Sequence, residues 1–129
     1  LEELTMKKKR LSTMILGVTL LIGTTAFAYG GRSYAEISRS QAAVDGGNIP
    51  AVGNVHIYGK NESYSSYGLW SELYKSVAGP DIKKGGVFCY KNQSKSTDIN
   101  VVDGNYYIHL DVDGPGYTGC TGYGYAQDN

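Results

Sequence analysis

From residue 51 onward the apolar residues come in short runs separated by Gly, Asn, Asp and Pro, the texture of strands and turns. Val52, Val55, Ile57 and Tyr58 predict a strand ending at Gly59-Lys60-Asn61, followed by a polar loop that carries Tyr64. Val87-Phe88-Cys89-Tyr90 predicts another, between the flexible Lys83-Lys84-Gly85-Gly86 and the polar Lys91 to Ser96. Asp103-Gly104 stands between two strand-like runs and predicts a two-residue type I′ hairpin. In that register Val101 faces Tyr106, Ile99 faces Ile108 and Thr97 faces Leu110. Ile99, Val101, Tyr106, Ile108, Leu110 and Val112 then share one face, and Asp98 meets His109 on the other. A slip of one residue would invert the two faces, so the register is strongly specified.

Residues 67–78 satisfy two patterns at once. Leu69, Trp70, Leu73, Tyr74 and Val77 recur at helical spacing before Gly79-Pro80, whereas Tyr67, Leu69, Leu73 and Val77 also suit one side of a strand. The Tyr-rich surroundings tip the reading to strand, with a short helix as the alternative. Beyond Gly114-Pro115-Gly116 the chain enters a Tyr/Gly/Thr tail in which Thr121, Tyr123 and Tyr125 alternate as an edge strand. The fold expected is all-β, a small antiparallel β-sandwich or open barrel of five to six short strands spanning residues 51–129. Residues 29–50, where Ile37, Val44 and Ile49 keep no period, read as a flexible arm or removable pro-segment.

The N-terminus reads as an address. Lys7, Lys8, Lys9 and Arg10 precede an apolar stretch from Leu11 to Thr25, and Ala26-Phe27-Ala28 is an A-x-A cleavage site, so residues 6–28 have the three parts of a secretory signal peptide. The apolar run is broken by Thr and Gly and is shorter than the ~20 residues of a membrane span. Residues 1–5 fit neither a leader nor a fold. Leu-Glu-Glu can be encoded by a GGAGG ribosome-binding stretch, which makes Met6 the expected start and a Gram-positive bacterium the expected source.

Composition then narrows the function. The chain has 129 residues with 12 basic and 12 acidic side chains; without Lys7, Lys8, Lys9 and Arg10 on one side and Glu2 and Glu3 on the other, 8 basic and 10 acidic remain, a net charge of −2. No concentrated basic face is available for nucleic acid. Export also predicts a disulfide between Cys89 and Cys120, the one pairing two cysteines allow. A closed loop of that length would contribute ~3.5–4 kcal/mol.

Motifs for chemistry are sparse. An Asp98-oriented His109 lacks a nucleophile in an elbow or oxyanion context and reads as an exposed charge-assisted pair. Asp111-x-Asp113-Gly114 opens like a calcium loop but has no closing Glu, and reads as a turn. With no CxxC and only His56 and His109, no zinc motif is legible, and no glycine loop lies between a strand and a helix to cradle phosphate. Asn61-Glu62-Ser63 and Asn92-Gln93-Ser94 match a glycosylation pattern that carries no further meaning in a bacterial context.

Twelve Tyr among abundant Gly, Ser and Asn are the material of a recognition surface, giving rigid contact area with polar tips. Tyr67, Trp70, Tyr74, Tyr107 and His109 are the candidate binding residues. The function expected is a secreted, monomeric, non-enzymatic protein without cofactor, binding a cell-envelope glycan or peptide. The alternative is a bacteriocin-like secreted antimicrobial β-protein.

Overall fold

In the computed structural model the described residues are 31–129. The start at Met6, the leader over 6–28 and its cleavage site lie outside the described residues. The chain forms β1 (Arg32–Ile37), β2 (Ala43–Asp45), β3 (Ile49–Asn61), β4 (Leu69–Ser76), β5 (Ile82–Cys89), β6 (Gln93–Val112) and β7 (Gly122–Asp128). All pairings are antiparallel, in one open seven-stranded sheet of order β1-β7-β3-β6-β4-β5, with β2 added alongside β6.

The sheet is organised by β6, which runs through Asp103-Gly104 without turning. A type I′ turn needs positive φ at both central residues. Among the described residues the non-glycine with positive φ is Asn92, and Gly104 is not among the positive-φ glycines. The expected hairpin is therefore replaced by a bulge. Between Ala51 and Gly53 the partner moves from Gly104 to Val101, two steps on β3 against three on β6. Val102 and Asp103 together oppose Val52, and Gly53 absorbs the irregularity at φ 84°. The extra residue switches the inward positions of β6 from Ile99 and Val101 to Tyr106, Ile108, Leu110 and Val112. Those residues do share the core side, but through a parity switch. The pairings expected of a hairpin give way to Ile99 opposite Val55, Asp98 opposite His56 and His109 opposite Glu72 and Asp45.

The sheet curls so that β4 lies over β3 and β7. Ser71, fully buried on β4, donates its hydroxyl to the Tyr58 carbonyl at 3.0 Å. A Cβ on Gly124 would lie 2.5 Å from the Ser71 hydroxyl oxygen and one on Gly59 2.7 Å from the Ser71 Cβ, so the close approach requires glycine at both positions. Val55, Ile57, Leu69, Leu73, Ile108, Leu110 and Ala126 fill the space enclosed.

This packing settles residues 67–78 in favour of the strand and corrects two further expectations. Residues 67–78 hold a strand: Leu69, Ser71 and Leu73 point inward while Trp70 and Tyr74 point outward, so the helix-like recurrence was two strand faces read as one. The stretch expected to be a flexible arm supplies β1 and β2, and the boundary expected at residue 51 falls within β3. Ser33, Ala35 and Ile37 are buried on β1, and Ser33 accepts a hydrogen bond from the Ile108 N–H. With β1 in place, β7 is no edge; it lies between β1 and β3.

Cys89 and Cys120 are free and buried, not bonded. The Cys89 thiol donates to the Gly59 carbonyl and the Cys120 thiol to the Tyr67 carbonyl, so each is satisfied by backbone. Burial pushes both thiols above their ordinary pKa, which suppresses the reactive thiolate.

Two outcomes follow from this arrangement. Val101→Asn should cost on the order of 2–4 kcal/mol in urea denaturation, and Val102→Asn, at a position 64% exposed, should stay within ~0.5 kcal/mol. A thiol reagent should titrate both cysteines in denaturant and neither under native conditions, with the unfolding midpoint indifferent to reductant.

Candidate functional site

The inward positions are filled by the core, so the chemistry lies on the outward side. Across β5, β4, β6 and β2 the register builds three rows. Phe88, Trp70 and Asp111 form one; Gly86, Glu72, His109 and Asp45 the next; Lys83, Tyr74 and Tyr107 the third. Trp70 packs against Phe88 at 4.7 Å between centroids, and Phe88 meets Tyr90 edge-on at 4.9 Å. The Trp70 indole N–H donates to Asp113 at 3.2 Å, which fixes the ring while leaving it 36% exposed.

Tyr74 is the centre of the second half of this face. Its ring stacks on Tyr107 at 5.8 Å and meets His109 edge-on at 5.1 Å. Tyr107 donates its hydroxyl to Asp81 at 2.6 Å, and the other oxygen of Asp81 accepts from the Val77 N–H, so the turn after β4 orients the ring. His109 Nδ1 is hydrogen-bonded to the Asp45 carboxylate. Glu72 is buried among these side chains with the Lys83 ammonium at 3.1 Å. Trp70, Tyr74, Tyr107 and His109 thus share one outer face. Tyr67 stands apart from that group, before β4, where it packs on Tyr117 at 4.9 Å.

A second aromatic array covers β1, β7 and β3. Tyr58 stacks on Tyr125 at 5.2 Å and lies 5.8 Å from Tyr123, which lies 6.0 Å from Tyr34. The Arg32 guanidinium sits 4.0 Å over the Tyr125 ring, and His56 pairs with Asp98 at 2.7 Å. None of Tyr34, Tyr58, Tyr123 and Tyr125 stood among the sequence candidates. Their signal is the alternation His56-x-Tyr58, Tyr123-x-Tyr125 and Tyr34-x-Glu36, which only the pairing of β1, β7 and β3 brings into one array. Glu72, His109 and Asp111 also come together, with one ligand atom from each within 4.8 Å of the others. Sequence spacing gives no sign of this, because β4 and β6 are joined only by their pairing.

No family model and no curated protein matches the chain. Among solved structures, the chain is similar to a chain in the structure of the infectious bursal disease virus Gt strain, with a TM-score of 0.34 and 6% identity over 75% of this chain. The aligned part spans 29% of that viral chain.

Titration of the outer-face tyrosines links this surface to stability. Burial first, and then the carboxylates of Glu36 and Asp81 that accept their hydroxyl protons, hold Tyr34 and Tyr107 well above the ordinary tyrosine pKa. Unfolded tyrosines ionise near ~10, so the unfolded chain sheds these protons first and the stabilisation is lost as pH rises beyond that value. The urea midpoint should therefore fall between pH 9 and 11, and Tyr107→Phe should fall less steeply over the same range. Parallel curves for the two proteins would show that the titration of Tyr107 is not linked to folding.

Proposed function

We propose that the protein is a secreted, non-enzymatic binding protein that recognises a cell-envelope glycan through the aromatic face of β4, β5 and β6. The observation that carries this reading is the row of fixed, partly exposed rings, Trp70 with Phe88 and Tyr74 with Tyr107, each beside a carboxylate. A flat ring offers contact area to the apolar face of a pyranose, while carboxylate oxygens accept hydrogen bonds from its hydroxyls. Rings already held by Asp113 and Asp81 lose little freedom on binding. A peptide ligand would use the same rings. The leader over residues 6–28 supports export, and the net charge of −2 beyond it disfavours a nucleic-acid partner. We take the working form to be a monomer.

The test is to add purified protein to live Gram-positive cells and to isolated cell walls, scoring bound protein and growth together. Saturable wall binding without loss of growth is expected. Trp70→Ala and Tyr74→Ala should each weaken it about tenfold, the effect of removing an aromatic anchor worth ~1.4 kcal/mol. Growth inhibition would favour the antimicrobial alternative, and binding unchanged in both variants would remove this face from the function.

A further inference from the structure

We infer that Glu72, His109 and Asp111 form a binding site for a divalent first-row transition cation, zinc by the chemistry of the ligands. His109 and Asp111 are two residues apart on β6 and so project from the same side, and Glu72 lies directly opposite His109 on β4. The three side chains offer one ligand atom each, all within 4.8 Å of one another. Tetrahedral zinc at ~2.0–2.1 Å from each ligand needs separations of about 3.4 Å, a closure within the reach of side-chain torsions on a fixed sheet.

Two features distinguish this group from an ordinary patch of surface acid. His109 is held through Nδ1 by the Asp45 carboxylate, which turns Nε2 away as the atom for a metal, the outer-sphere arrangement that orients metal-ligating imidazoles. Glu72 is 6% exposed although it lies on the outward side, and the cation now beside it is the Lys83 ammonium, on a side chain 56% exposed. A buried carboxylate demands a cation. Lys83 can swing into solvent and leave that place to a metal. One imidazole and two carboxylates suit zinc and its neighbours, whereas calcium takes six to eight oxygens and the chain supplies too few here. Three protein ligands leave a fourth position open, beside the stacked rings of Tyr74 and Tyr107.

The experiment is calorimetric titration of the purified, untagged protein with zinc chloride, in parallel with calcium and magnesium chloride. One equivalent of zinc should bind, undisturbed by millimolar calcium. His109→Gln and Asp111→Asn should each weaken binding at least tenfold, Asp45→Asn about tenfold through the imidazole it orients, and His56→Gln, at the other His–Asp pair, not at all. The nitrogen NMR signal of His109 Nε2 should shift on zinc addition. Each variant is compared at equal helix-free circular dichroism and equal unfolding midpoint, and Asp111, half-buried, tolerates Asn should the His109 variant unfold. No saturable zinc binding, affinity unchanged from the unsubstituted protein in both ligand variants, or loss confined to His56→Gln would each overturn the site.

Discussion

The structure depends on one extra residue in β6. A strand of regular alternation keeps the same side chains on the same face for its whole length, so a long strand can serve only one wall of a core. The bulge at Val102 and Asp103 breaks that limit. Before it, β6 lies beside β3 and offers Ile99 and Val101; after it, the strand keeps β3 only as far as Ile49 opposite Tyr106, gains β4 and β2, and offers Tyr106, Ile108, Leu110 and Val112. Tyr106 holds the join. Its fully buried ring ends in a hydroxyl that donates to the Val102 carbonyl at 2.6 Å, giving the bulge a fixed partner from four residues away. A bulge bends its strand and increases local twist, which is how an open sheet can curl far enough for β4 to reach β3 and β7.

That curl sets the composition of the interior. Where β4 crosses β3 and β7, the inward residues are Ser71, Gly59 and Gly124, and a larger side chain at either glycine would strike Ser71. The cavity that small residues would leave is avoided because the strands approach one another, with Ser71 satisfied by the Tyr58 carbonyl. Larger aliphatics occupy the wider parts on either side. The two thiols belong to this economy of space: each is a small buried group bonded to a backbone carbonyl, and neither needs the other to be stable there.

The all-β class and the inward set on β6 could be read from residue types alone, since Val, Ile and Tyr runs between Gly and Asn admit little else. The connectivity could not. An odd spacing between Val101 and Tyr106 on one face has two solutions, a two-residue turn or a bulge, and Asp-Gly favours the turn locally. What decides is non-local: β3 and β4 both need β6 as a partner, and a hairpin would deny each of them part of it. The same blindness explains the arm. Ile37, Val44 and Ile49 show no common period because they belong to three different strands, β1, β2 and β3. Of the candidate residues, Trp70, Tyr74, Tyr107 and His109 fall on one face, and the partners that define their chemistry, Asp45, Asp81 and Glu72, come from strands or turns that only the tertiary fold brings near.

Glu72 shows how such a face becomes chemically distinct. Its position in the alternation sends it outward, where a carboxylate ordinarily enjoys full hydration. Here His109 stands opposite, Trp70 and Tyr74 stand two residues away on either side, and Gly86 leaves the β5 side bare enough for the Lys83 side chain to reach in. The ring neighbours remove water, and the charge must be answered by a positive group rather than by solvent. A Cβ on Gly86 would lie 2.8 Å from the Glu72 Cγ, so the glycine is what lets the carboxylate lie down beneath the aromatic rows. An outward carboxylate with its hydration removed is an expensive feature for a sheet surface to keep. A mere solubilising residue would have been left standing in water, as Asp103 is on the neighbouring stretch of β6.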